Sequence, residues 1–390
     1  MKTLFKVNVN KTMDQQDVVG HNRWHPDIPA AFAVNPGESF RMECLEWTDG
    51  QIKNNDDPSD IRKVNLERVH MLSGPVYVNG VKPGDLLVVD ILDIGTFQEQ
   101  PWGFNGIFAK ENGGSFLTDY YPDAAKSIWD FHGIYTTSRH VPDVKFAGLI
   151  HPGLLGVAPS QELLNEWNRR EKALIATDPD RVPPLANPPT EESVVLGSLT
   201  GAEFDRVATE GARTVPPREN GGNCDIKDLS KGSRVYFPVF VDGAKLSVGD
   251  LHFSQGDGEI TFCGGIEMSG WIELQVEVIK GGMEKYQIKT NPVYQPGPVN
   301  PHYNEYIVFQ GVSVESSGKQ TYLDANVAYR NACLNAIEFL KTQGYTGEQA
   351  YMLLSAAPVQ GHLAGVVDIP NTCATVGIPK EIFTKNILPT

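Results

Sequence analysis

Apolar and polar residues alternate along two stretches of this chain. From Ser39 to Trp47, Phe40, Met42 and Cys44 fall on one face and Arg41, Glu43 and Leu45 on the other, between the turn signals NPGE and DGQ. From Trp271 to Lys280, Ile272, Leu274, Val276 and Val278 alternate with Glu273, Gln275 and Glu277. A period of two is that of a β-strand with one wet face. Asp85 to Ile94 is more continuously apolar, which predicts a strand buried on both faces. Just before it, His70 leads into a short strand, an Asn-Gly turn and a Pro-Gly-Asp turn.

Between Gly95 and Pro159 no period lasts. Gly, Trp, Phe, Tyr and Pro are frequent there, and the expectation is a set of ordered aromatic-rich loops. A helix is expected after Ser160, an N-cap residue, with Leu163, Leu164, Trp167 and Leu174 on one side. The Pro-rich run DPDRVPPLANPPTEES reads as an exposed excursion. Near the C-terminus the period becomes helical. Val327, Leu334 and Ile337 share a face from Asp324 to Lys341, and Gly344 stops that helix. Thr346 and Gln349 form a capping box for a second helix carrying Met352, Leu353 and Leu354. Strands early and helices late predict a mainly β chain with α+β elements, not a βαβ repeat. The chain divides into residues 1–159, 160–215, 216–300 and 301–390 on this reading.

Charge and cysteine usage narrow the partners. The 390 residues carry a formal net charge of −15, with no Lys/Arg cluster, so nothing would neutralise a run of phosphates, and no nucleic-acid partner is expected. The five cysteines form no Cys-x-x-Cys pair and read as reduced thiols. MKTLFKVNVN lacks a signal-peptide apolar run, and no segment is apolar enough for a membrane span. A cytoplasmic address and no membrane partner are the expectation.

The chemistry gathers between Asn220 and Glu267. Asp250, His252, Asp257 and Glu259 fall close together, with Asp225 upstream and Glu267 downstream. If both pairs lie on strands, Asp250 projects beside His252, and Asp257 beside Glu259. One imidazole among carboxylates can bind a divalent metal or do acid–base work. The same Gly-Asp pairs are also ordinary turn sequences, and His252 also reads as a satisfied strand histidine. His21, His25, His70, His140 and His151 read as structural by default. No G-x-S-x-G elbow, serine-amidase Gly-Gly-Ser-Ser run, Walker loop or G-x-G-x-x-G occurs. Cys224 and Cys263 flank the acidic cluster without a neighbouring His or Lys, which favours buried structural thiols.

Eight motifs in one order carry a family likeness: HMLSGPVYVNGVKPGD, WGFNGIF, TSRH, HPGLLGVAPS, NGGNCD, GDLHFSQGDGE, EQAYMLLSAAP and VDIPN. Together they resemble the acetamidase/formamidase family in its long form, over nearly the whole chain. The resemblance implies hydrolysis of a short aliphatic amide, chiefly formamide, by an intracellular homo-oligomer. It implies a jelly-roll-like β-sandwich core with a smaller C-terminal α+β part. It also implies a divalent metal, zinc with calcium as the alternative, and places that role on Asp225, Asp250 and His252. Glu259 would then take the water proton and pass it to the leaving nitrogen, while Glu267 and His70 orient the ligands. Loops around Trp102, Phe104 and Phe116 would narrow the pocket to one- or two-carbon amides. A metal-free reading makes Cys224 a nucleophile. A third reading is a non-catalytic small-molecule-binding β-sandwich with structural calcium, which the imidazole of His252 disfavours.

Overall fold

The computed structural model describes residues 1–177 and 190–388. Most of the Pro-rich run lies outside these described residues. Strands dominate, arranged in sheets of which none closes on itself. A six-stranded sheet runs in the order Lys2–Phe5, Ser39–Cys44, Gly270–Ile279, Leu86–Thr96, Arg234–Pro238 and Val293–Gln295. Both alternating stretches and the apolar stretch of the sequence are adjacent strands in it. Ser39–Cys44 buries every second residue, as its pattern predicts. Leu86–Thr96 is flanked on both sides, by Gly270–Ile279 and Arg234–Pro238.

A larger sheet holds the site. Its central strands are Trp102–Ile107, Phe262–Met268, Leu246–His252 and His151–Gly156, with Gly221–Asn223 at one end. Leu72–Val78 also pairs with Leu246–His252. Strands from residues 1–159 therefore pair with strands from residues 216–300. The two large sheets share one hydrophobic core, with Phe40, Met42, Ile272 and Leu274 from the first and Val76, Val248, Leu251 and Ile266 from the second. Burial of this kind is the main stabilising term.

The expectation of loops between Gly95 and Pro159 is corrected. Trp102–Ile107, Ala125–His132, Tyr135–Ser138, Phe146–Ala147 and His151–Gly156 are strands there. Trp102–Ile107, Phe146–Ala147, His151–Gly156 and most of Ala125–His132 are buried on both faces, so no wet face imposes a period of two on them, and Tyr135–Ser138, only partly buried, is too short to show one.

The C-terminal unit is a three-stranded sheet, Tyr306–Val312, Cys373–Pro379 and Gln360–Gly365, with the helix Ala325–Thr342 packed on it. Asp324 caps that helix by accepting from the Val327 N–H. Its buried face is Ala328, Ala332, Cys333, Ala336, Ile337 and Leu340, so of the three residues expected inside, only Ile337 is fully buried. The capping box of Thr346 and Gln349 is present and opens the helix Gly347–Ala356. That helix packs against the strands Phe262–Met268 and Trp102–Ile107 and so backs the site. In the helix Gln161–Thr177, Leu164 and Trp167 are buried while Leu174 is exposed, because the helix end projects from the body.

Candidate active site

Four carboxylates and His70 line a cavity of about 370 Å3, and His252 stands directly behind two of those carboxylates. Asp250 and His252 end the strand Leu246–His252, and His252 stands opposite Glu267 in the neighbouring strand. His252 Nε2 lies 2.9 Å from Glu267 Oε2 and 3.3 Å from Asp250 Oδ1. Asp225 follows the short strand Gly221–Asn223, its N–H donating to the Gly153 carbonyl at 3.1 Å. Glu259 reaches in from the loop between the strands Leu246–His252 and Phe262–Met268. Its Oε1 accepts from the N–H groups of Gly264 and Gly265 at 3.3 and 3.4 Å. His70 precedes the strand Leu72–Val78, packs on Trp47 with centroids 4.9 Å apart, and sets Nε2 3.9 Å from Asp250 Oδ2.

The backbone here departs from ordinary strand geometry. Asp225, Asp250, Glu259 and Phe262 have φ of 48°, 54°, 44° and 71°. Left-handed backbone at non-glycine residues costs of order 1 kcal/mol or more each and gathers at functional sites. Asp250 and His252 do meet, but not through regular alternation, since Asp250 is left-handed. The pairing expected for Asp257 and Glu259 is corrected. The segment turns between them, so Glu259 enters the cavity while Asp257 points away, to Lys227 and the Gly361 N–H. Two glycines make the room. A Cβ on Gly153 would lie 2.7 Å from Asp225 Oδ1, and one on Gly265 2.6 Å from the His252 ring.

Electrostatics follow from burying so much charge. Burial, with the charges of Glu259 and Asp250, pushes Asp225 well above the usual carboxylate range. Burial likewise raises Glu267 and Glu259, against the pull of His252. Burial also presses Asp250 upward, yet His252 and His70 overcome it and carry Asp250 down to about 2. His252 moves the other way. Burial opposes its charge, but Glu267 and Asp250 lift it well above the ordinary imidazole range. His70 is lowered, chiefly by burial. Without a cation, the four carboxylates must share protons among themselves and His252.

The residues fit a divalent metal. Ligand atoms of Asp225, Asp250 and His252 lie within 4.8 Å of one another, and so do those of His252, Glu259 and Glu267. Asp225 Oδ1 is buried without a hydrogen-bond partner, and Glu267 Oε2 is buried with His252 Nε2 beside it. His252 Nδ1 lies 2.9 Å from Gln255 Oε1, an oxygen that can only accept. That nitrogen therefore carries the proton, and in the neutral ring Nε2 presents its lone pair to the carboxylates. Glu267, expected to stand behind the donor set, faces the same Nε2 as Asp250 and stands within it. The supporting place is taken instead by Gln255 and by His151, which meets His252 edge-on at 5.1 Å and is held down to about 3 by burial. Nothing in spacing alone marked Gln255. Its signal is three residues of separation from His252 in a turn that folds back on it.

The cavity walls are Trp47, Val69, Phe108, Val215, Pro216, Pro217 and Phe262. The expected walls are corrected. Trp102 borders a separate cavity beside Glu46, Phe104 is buried in a core cluster, and Phe116 packs on Tyr329. Cys224 is not among the lining residues. Its Sγ lies 3.2 Å from the Tyr294 hydroxyl, and burial raises its thiol. His21 bonds Ser247 and the Arg23 carbonyl, His25 bonds Glu210, and His140 pairs with Asp56, all away from the cavity.

Known proteins resemble this chain closely. A formamidase from Methylophilus methylotrophus is 62% identical over all of this chain and 95% of its own length. An acetamidase from Mycolicibacterium smegmatis is 60% identical over 92% of this chain and 91% of its own. A solved gamma lactamase from Delftia acidovorans superposes with a TM-score of 0.98 at 61% identity, over 100% of this chain and 95% of its own. An acetamidase structure from Bacillus halodurans, 21% identical, matches at 0.50 over 93% and 95% and shows the shared fold alone. The Acetamidase/Formamidase family model matches residues 6–385. With that match across nearly its whole length, the chain belongs to the acetamidase/formamidase family.

Proposed function

We propose that the chain hydrolyses short aliphatic amides, chiefly formamide, to the acid and ammonia, with a divalent metal held by Asp225, Asp250 and His252. The observation that carries this reading is the cluster of four carboxylates, Asp250 and Glu267 buried and Asp225 and Glu259 half-buried, that lines one cavity with His70 and has the buried His252 against it. Membership of the family and the formamidase and acetamidase relatives support the same chemistry. The metal, zinc on the basis of its imidazole ligand, would supply Lewis-acid polarisation of the carbonyl and a more acidic water.

The chain's own residues do the rest. Glu259, raised by burial, is the carboxylate suited to take the water proton and return it to the departing nitrogen. Ammonia cannot leave as an anion, so that returned proton is required. Glu267 holds His252 from the donor side, and Gln255 fixes its ring from behind. His70, whose protonation burial opposes, lines the cavity and turns its Nε2 toward Asp250, where it can help to bind the substrate or the water.

The cavity favours a second, wider reading of the substrate. Formamide has three heavy atoms and fills roughly 90 Å3 at about 30 Å3 per water-sized group, against about 370 Å3 here. The apolar walls have room for a larger amide, and one relative is named a gamma lactamase. Ammonia release from formamide, acetamide and propionamide, ring opening of a five-membered lactam, and metal analysis of chelator-free protein test both readings. Formamide should turn over fastest. No turnover on any of them would overturn the function, and active protein without metal would overturn the metal.

We also propose a cytoplasmic homo-oligomer whose two large sheets form a jelly-roll-like sandwich. No helix among the described residues is long and apolar enough to cross a membrane. Leu363, Val367 and Ile369 are exposed in the C-terminal unit and suit burial against another copy. A monomer mass by light scattering at micromolar concentration would contradict the assembly.

A further inference from the structure

We propose that the ion pair of Lys227 with Asp257 is a positioning brace, which holds the Asp225 loop and the Glu259 loop at a fixed separation and anchors both to the C-terminal unit. The inference rests on the amide-hydrolase reading of the cavity for its kinetic consequences. Lys227 lies two residues beyond Asp225, and Asp257 two residues before Glu259. Neither acidic residue sits in a regular strand, and both have left-handed backbone, so neither position is secured by a ladder of its own. Something else must hold them.

Asp257 uses every polar group it has. Its Oδ1 pairs with Lys227 Nζ. Its Oδ2 accepts from the Gly361 N–H at 2.9 Å, and its carbonyl accepts from the Tyr329 hydroxyl at 2.6 Å. Its own N–H donates to the Val359 carbonyl at 3.0 Å, and the neighbouring Gly256 N–H donates to the Ser355 carbonyl at 2.7 Å. Tyr329, Ser355, Val359 and Gly361 all belong to the C-terminal unit. On the cavity side, Gln255 Nε2 donates to the Asp225 carbonyl at 2.7 Å. The two loops are thus tied twice, by Gln255 within and by Lys227 with Asp257 without. The Lys227 side chain is only 9% exposed and that of Asp257 33%, so solvent screens this pair less than an open surface pair.

A brace and an ordinary stabilising pair differ in what their loss changes. Loss of a brace lets the two loops shift independently, and a displacement near 1 Å at reacting groups costs about a hundredfold in rate. Loss of a merely stabilising pair lowers the melting temperature and leaves kcat alone. The test uses the full chain with Lys227→Met, Asp257→Asn, the double variant and Lys227→Arg. Ammonia release from formamide and amide hydrogen exchange are the readouts.

Each single variant should lose at least about tenfold in kcat with KM changed less than about threefold. The double variant should lose no more than the worse single, because one device is broken once. Lys227→Arg, which keeps the charge, should recover most of the rate. Asp257→Asn should also speed exchange in residues 224–228, a loop it does not belong to. Normal kcat in the single variants, multiplying losses in the double, or unchanged exchange in 224–228 would each overturn the brace. Should wild-type protein hydrolyse no amide, the proposed function fails, while the exchange measurement still decides whether the loops are coupled.

Discussion

Gly153→Ala is expected to disable the site while leaving the fold in place. Gly153 lies on the strand His151–Gly156, opposite Asp250, and its missing side chain is what lets three groups approach. A Cβ there would lie 2.7 Å from Asp225 Oδ1, 2.8 Å from Asp250 Oδ2 and 2.8 Å from His252 Cε1. Ordinary contact begins near 3.4 Å, so each group must retreat by about 0.6 Å or more. The same three residues are the proposed metal ligands, and none can move without opening the donor set. Misplacement on this scale costs roughly a hundredfold in kcat, and metal affinity should fall with it. Overpacking should cost about 1–3 kcal/mol of stability, which is a few degrees of melting temperature for a chain of this size. Gly95→Ala is the control. Its Cβ would meet the Trp271 ring at 2.7 Å, an equal intrusion on the other large sheet with no site group near it. The assay is kcat on formamide, bound metal and thermal midpoint for both variants. Retention of kcat within about threefold by Gly153→Ala, with metal still bound, would refute the reasoning.

Three further outcomes are expected. His252→Ala should lose bound metal and turnover together, by at least about a thousandfold in kcat, which is about 4 kcal/mol of barrier; a variant that kept both would remove Asp225, Asp250 and Glu259 from their proposed roles. Cys224→Ser should keep most of its activity, since the thiol contacts Tyr294 and lies outside the cavity lining; a loss beyond about a thousandfold with the fold intact would revive covalent catalysis. Glu46 is buried, and burial lifts its carboxyl to about 7 despite hydrogen bonds from Thr48 and Gly50. A carboxyl raised on folding favours the fold below its unfolded value and loses that contribution as pH climbs through the folded value. Wild-type stability relative to Glu46→Gln should therefore fall between pH 5 and pH 8, by up to about 3 kcal/mol. Parallel stability curves for the two proteins would sink that assignment.

Local pattern carried the fold as far as local pattern decides it. The strand Ser39–Cys44 and the capping box of Thr346 and Gln349 were legible because one wet face and one pair of reciprocal hydrogen bonds specify them. Most strands between Trp102 and Gly156 were not, since their side chains are buried on both faces, Trp102–Ile107 in part by the helix Gly347–Ala356. The site divides in the same way. Its ionisable residues stood out by clustering, but the residues that make the cluster work did not. Gly153 is silent until the strand register sets it opposite Asp250. Gln255 is silent until the turn brings it behind His252.

The failed pairing of Asp257 with Glu259 shows why. Strand alternation would have sent both carboxylates into the cavity, adding a fifth carboxylate to a cluster in which Asp225, Glu259 and Glu267 are already raised by burial and by the charge of Asp250. The chain avoids that cost by placing Glu259 at φ 44° and turning Asp257 outward onto Lys227 and the C-terminal unit. The conformation at Glu259 is unfavourable taken alone. It persists because contacts over seventy or more residues of sequence, from Tyr329 and Gly361, fix the residue two places before it. A local reading fails at such a position for a physical reason: the energy that decides it is not local. The same contacts tie the position of Glu259 to the C-terminal unit, although none of that unit's described residues lines the cavity.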